Sequence, residues 1–79
     1  MMHHATHRRL IEVFDLLMAG LFPLEVAFVL DLNPRQLRRF VSRHSPDKRS
    51  GLALLFAFRT LQEDRIIAEA KGRMLMALE

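Results

Sequence analysis

Residues 23–42 read Pro-Leu-Glu-Val-Ala-Phe-Val-Leu-Asp-Leu-Asn-Pro-Arg-Gln-Leu-Arg-Arg-Phe-Val-Ser. Pro23 suits the first position of a helix, where its missing N–H would have no partner in any case. The apolar run behind it predicts a short helix from Pro23 to Leu30. Asp31-Leu32-Asn33-Pro34 then ends that helix and starts another: Asn33 is a strong N-cap, Pro34 takes the first helical position, and Gln36 is placed to reach back as a capping box. The second helix is expected from Pro34 to about His44. At 100° per residue it turns Leu37, Phe40 and Val41 to one side and Arg35, Arg38, Arg39 and Ser42 to the other.

On the N-terminal side, Leu10, Phe14, Leu17 and Leu21, widened by Ile11 and Met18, follow a helical spacing and predict a helix over about His7 to Ala19. Gly20 stands where a left-handed C-terminal residue is favoured, whereas Phe22 is a poor N-cap for the helix that follows. On the C-terminal side, Ser45 and Pro46 open a polar loop, with a short turn capped by Ser45 as one reading. From Leu52 to Leu78 the pattern is helical again but changes register near Gln62 to Arg65. Leu54, Phe58 and Leu61 make one row; Ile67, Ala70, Met74 and Leu78 make another. One long helix with two apolar faces and two helices meeting at the charged patch both fit. Gly72, inside the second half, costs about 1 kcal/mol relative to alanine. The expected architecture is a single all-α domain over 1–79, a small helical bundle with three helices around residues 23–44 and a long or broken packing or dimerisation helix over 52–78.

The chain has 79 residues, 51% of them hydrophobic, and no cysteine, tryptophan or tyrosine. A core this small leaves thin stability, so an apolar fraction this high predicts that some surface is covered by a second copy or a partner. The lack of cysteine excludes a disulfide framework, a thiolate zinc site and a cysteine nucleophile within the chain. The apolar stretch Leu16–Leu30 contains Pro23 and Glu25 and is shorter than the ~20 residues that span a bilayer. No export signal is legible at Met1 to Arg9. The expectation is a cytoplasmic protein that does not enter a membrane.

Charge is unevenly spread. Arg35 to Arg49 holds six basic residues and one acid, a local charge of +5, while the remaining residues hold six basic and eight acidic side chains. Such a patch is what a polyanion meets first, since phosphate contacts and released counterions supply the sequence-independent part of nucleic-acid binding. Solvated arginines on a helix are the plainer reading of a basic cluster taken alone.

The short apolar helix, tight turn and capped basic helix of residues 23–42 together resemble the helix-turn-helix DNA-binding motif, with arabinose-regulator-type activators as the nearest flavour. Val26, Ala27, Leu30, Leu32, Leu37 and Phe40 stand where the two helices of that motif interlock. The motif commonly has glycine in the turn where this chain has Asp31, and it exposes the positions held here by Phe28 and Val29. The resemblance implies a small transcriptional regulator, a homodimer that docks its second helix in the major groove of double-stranded DNA. It assigns base contacts to Arg35, Gln36, Arg38, Arg39 and Ser42 and phosphate contacts to Arg43, Lys48 and Arg49. Phe28, Val29, Ile67, Met74 and Leu78 are the expected dimer or partner surface, and with no sensing domain in the chain a regulatory partner protein is a further expectation. The alternative is an interaction module, such as an antiactivator or assembly factor, that keeps this scaffold without binding DNA.

Other chemistry finds little support. His3, His4 and His7 lack a neighbouring acid or cysteine to complete a metal site, and a solvated terminus accounts for them. His44 suits a helix C-terminus, where positive charge is favourable. Glu63 and Asp64 are followed at once by Arg65 and have no nucleophile or histidine at a useful spacing, which points to a charged surface. Neither a catalytic function nor a metal or other cofactor is expected.

Overall fold

The computed structural model describes residues 4–45 and 51–78, which form four helices: α1 (His4–Met18), α2 (Pro23–Val29), α3 (Pro34–His44) and α4 (Gly51–Leu78). Among the described residues there is no strand. Helices α1 to α3 close around a core of Val13, Leu17, Val26, Ala27, Leu37 and Val41, lined further by Leu16, Leu21, Leu30, Leu32 and Phe40, and α4 covers it with Leu52, Leu55 and Phe56.

The three short helices are delimited by local chemistry. At the end of α1, Gly20 N–H donates to Leu17 O and Leu21 N–H to Leu16 O, at 3.1 Å each, with Gly20 at φ 104°. This is the paired bonding of a Schellman motif, which needs a left-handed residue at its turn. The same motif ends α2: Asp31 N–H donates to Phe28 O at 3.2 Å and Leu32 N–H to Ala27 O at 2.8 Å, and Asp31 takes φ 57°. Aspartate is one of the few residues other than glycine that tolerate this conformation, so it does here what glycine does in the related turn. Asn33 and Gln36 form the expected capping box, Gln36 N–H donating to Asn33 Oδ1 at 2.8 Å and Asn33 N–H to Gln36 Oε1 at 2.9 Å.

Phe22 offers α2 no side-chain cap. Two glutamates replace it: Phe22 N–H donates to Glu25 Oε1 at 2.9 Å, and Leu24 N–H donates to Glu63 Oε2 of α4 at 3.2 Å. Close by, Arg59 of α4 donates to the carbonyls of Gly20 and Leu21, bonds Gln62 Oε1 at 2.8 Å, and lays its guanidinium 4.3 Å from the centroid of the Phe22 ring. Arg59 and Glu63, one turn apart, thus clamp α4 onto the α1–α2 corner by satisfying backbone groups that helix ends leave open.

One expectation changes, and one open alternative is decided. The apolar stripe of α1 is rotated from the expected one: Val13 and Leu17 are buried, while Phe14, Ile11 and Met18 are exposed. The reason is that α1 is apolar over more than half its circumference, so spacing alone leaves the choice of inner row to its neighbours. The segment Leu52–Leu78 is one continuous helix. Its first half packs on the core, and from Ala68 to Leu78 every residue is exposed, which draws the molecule out to 56 × 26 × 21 Å.

Candidate nucleic-acid interface

Helix α3 buries Leu37 and Val41, and half-buried Phe40 stacks against His44 with ring centroids 4.9 Å apart and planes tilted by 55°. His44 therefore packs along its own helix, one turn from Phe40, in the last turn of α3. Everything else on α3 beyond the cap, Arg35, Gln36, Arg38, Arg39, Ser42 and Arg43, is exposed. The helix carries four arginines and no acid. Within the described residues no ion pair or side-chain hydrogen bond engages Arg35, Arg38, Arg39 or Arg43.

The neighbours divide this surface into three strips. Arg35, Arg39 and Ser42 lie opposite the buried row of Leu37 and Val41, at the centre of the outward face. Gln36, Arg39 and Arg43 border a groove of about 440 Å³ whose other wall is the start of α1, Ala5, Thr6 and Arg9, and whose floor is Leu32 and Phe40. Arg38 lies on the opposite flank, where it shares a second groove with Glu63, Asp64 and Ile67 of α4. The long helix thus runs beside Arg38 and leaves Arg35 and Arg39 uncovered. Gln36 gives its side-chain oxygen to the cap, which leaves its amide N–H₂ as the free part of the side chain.

Arg9 was not legible as part of this surface. It stands 26 residues before Arg35 in the chain, and the packing of α1 brings it to the groove edge, where it also donates to Leu30 O at 3.2 Å and holds the end of α2. The signal for Arg59 is that it is the single charge in the apolar run Leu52–Leu61. Burial pushes the carboxyl of Glu63 above its usual pKa, opposed by the Leu24 N–H and Arg59 and helped by the charges of Asp64 and Glu25.

Of the expected phosphate contacts, Lys48 and Arg49 lie outside the described residues, as do His3 and the turn at Pro46. Of the expected partner surface, Phe28 is 86% exposed and Val29, Met74 and Leu78 are exposed as well, while Ile67 is half-buried in the Arg38 groove. Among the described residues no three histidine, cysteine or acidic side chains are grouped to hold a metal. No described helix is long and apolar enough to cross a membrane. Comparisons with protein-family models, with curated proteins and with solved structures find no match for the chain.

Proposed function

We propose that the protein is a small helix-turn-helix regulator of transcription that acts in the cytoplasm by docking α3 in the major groove of double-stranded DNA. The observation that carries this reading is the outward face of α3: four exposed arginines, free of acidic partners among the described residues, on a helix whose start is fixed by a capping box and whose approach is set by the left-handed turn at Asp31. Arg35, Arg39 and Ser42 are the central base-reading residues, since arginine's planar fork takes guanine O6 and N7 together. Arg38 and the amide of Gln36 read at the edges. Arg43, with Arg9 across the groove, lies nearer the backbone, and Lys48 and Arg49 are assigned to phosphates as well. The mechanism is positioning, with no chemical step.

The test is a fluorescence-anisotropy titration against mixed duplex fragments at several salt concentrations, with an Arg35→Ala/Arg39→Ala variant beside the native chain. The expected result is binding that weakens steeply as salt rises, because each phosphate contact contributes about 0.9 to the slope of log K on log salt, and that collapses in the variant. Absence of binding at low salt would sink the reading. Phe28, 86% exposed on α2, favours a second reading in which the scaffold recognises a protein; Phe28→Ser would then abolish partner capture and leave the DNA titration unchanged.

A further inference from the structure

Helix α4 carries an apolar row on the side turned away from the core. Leu54, Phe58 and Leu61 follow one another at intervals of four and three residues, and the same rhythm continues through Arg65, Ala68, Gly72 and Leu75. Phe58 is 58% exposed and Leu61 69% exposed, although they sit on the half of the helix that packs on α1 to α3. Among the described residues nothing covers this row.

We infer that the row is a self-association surface on which two copies of α4 pair antiparallel, about a twofold axis near Arg65. Next to Arg65 the row is large on one side, at Phe58 and Leu61, and small on the other, at Ala68 and Gly72, with a leucine at each end, and antiparallel pairing is the arrangement that matches large to small. Phe58 then meets the partner's Gly72, Leu61 meets the partner's Ala68, and Leu54 meets the partner's Leu75. Parallel pairing would set Phe58 on Phe58 and leave a gap at Ala68 and Gly72. Gly72 stands in open space, where a Cβ would meet nothing within 4 Å, so the position has room for a ring from a second copy. Arg65 stands at the axis, and the flank beside it carries Asp64 and Lys71, of opposite sign, so that the pairing sets Asp64 on the side of the partner's Lys71.

The area suffices. Leu54, Phe58, Leu61, Leu75 and Met76 are each more than half exposed, which at roughly 100 Å² apiece gives on the order of 1,000 Å² for the pair before the flanks are counted, the size at which a specific interface begins. The pairing uses the back of α4, so both α3 surfaces stay open. It holds whether or not α3 binds DNA, and its failure would leave the α3 reading to the titration above.

Analytical ultracentrifugation of the full chain at tens of micromolar should give a dimer. Phe58→Glu should weaken it roughly 100-fold, as loss of a central anchor does, while Phe28→Glu on α2 leaves it intact. Because the chain has no cysteine, orientation can be read by oxidation. Leu61→Cys and Ala68→Cys, which leave Phe58 and Gly72 in place, should each fail to cross-link alone, and the double variant should form a covalent dimer, the two positions of one helix lying about 10 Å apart. A monomer at these concentrations, a dimer indifferent to Phe58→Glu, or cross-linking by either single cysteine variant would overturn the inference.

Discussion

Helices α3 and α4 solve opposite problems with similar material. In α3 the apolar side chains Leu37, Phe40 and Val41 face inward, and the surface left to solvent is polar, dominated by guanidinium groups. In α4 no residue is fully buried, and large apolar side chains stand exposed both behind the core-packed half and along the free end. The first is a finished surface, stable in water and suited to a charged ligand. The second is the surface on which the proposed pairing rests, because leaving Phe58, Leu61, Leu75 and Met76 in water forgoes the apolar burial that stabilises small domains. The same protein can present both because α4 needs only its first half, anchored by Arg59 and Glu63, to close the core.

The strongest way to break this contrast is to truncate equivalent leucines. Leu37→Ala, at a fully buried site, should cost about 2–5 kcal/mol, whereas Leu75→Ala on the free end should change the stability of the dilute protein by less than about 0.5 kcal/mol; urea denaturation of both variants checks it. A similar loss in both would mean that the end of α4 is already packed in the dilute state. Next in size, Arg39→Ala should lower affinity for a preferred duplex by about 1–3 kcal/mol and relax preference at one base pair. An equal loss on every sequence would make Arg39 a phosphate contact. Asn33→Ala removes the acceptor for Gln36 N–H and should destabilise by ~1 kcal/mol in thermal melts, with no effect on dimerisation. Asp31→Gly relieves a left-handed non-glycine residue and should be neutral or stabilising, while Asp31→Val should be clearly destabilising because a β-branched side chain tolerates that φ poorly.

Glu63 gives the smallest effect. Its carboxyl is raised above the ordinary value of 4.5, so the folded state holds the proton more tightly than the unfolded chain. Stability from this group is therefore greatest below about that value and declines as pH rises through the folded pKa. Glu63→Gln keeps an acceptor for Leu24 N–H and removes the charge. Melting curves across that range should show the native chain losing stability relative to the variant as pH increases, and a constant difference would dismiss the carboxyl as the cause.

Much of the candidate site was readable in the residues themselves. The capping box at Asn33 and Gln36, the bounds of α3, the inward placement of Leu37, Phe40 and Val41 and the exposure of the arginines all follow from spacing and end chemistry within a dozen residues. Asp31 stood in the sequence as a departure from the glycine common in such turns, and the structure shows it taking the left-handed conformation that glycine takes. Arg9 was not readable, because what places it beside Gln36, Arg39 and Arg43 is the packing of α1 against the α2–α3 corner. Nor were the roles of Arg59 and Glu63, which act on backbone groups nearly forty residues away.

What the sequence determined by itself is the first three helices and the amphipathic character of α3, since helix starts, stops and a sharp apolar stripe depend on neighbours within one or two turns. What only the tertiary structure decided is which apolar residues would be used. Helix α1 and helix α4 are each apolar around more of their circumference than one contact can cover, so local pattern leaves several inner faces equally good. The choice falls to long-range packing: Val13 and Leu17 went into the core in place of Phe14, and α4 ran on as one helix past the body it helps to close.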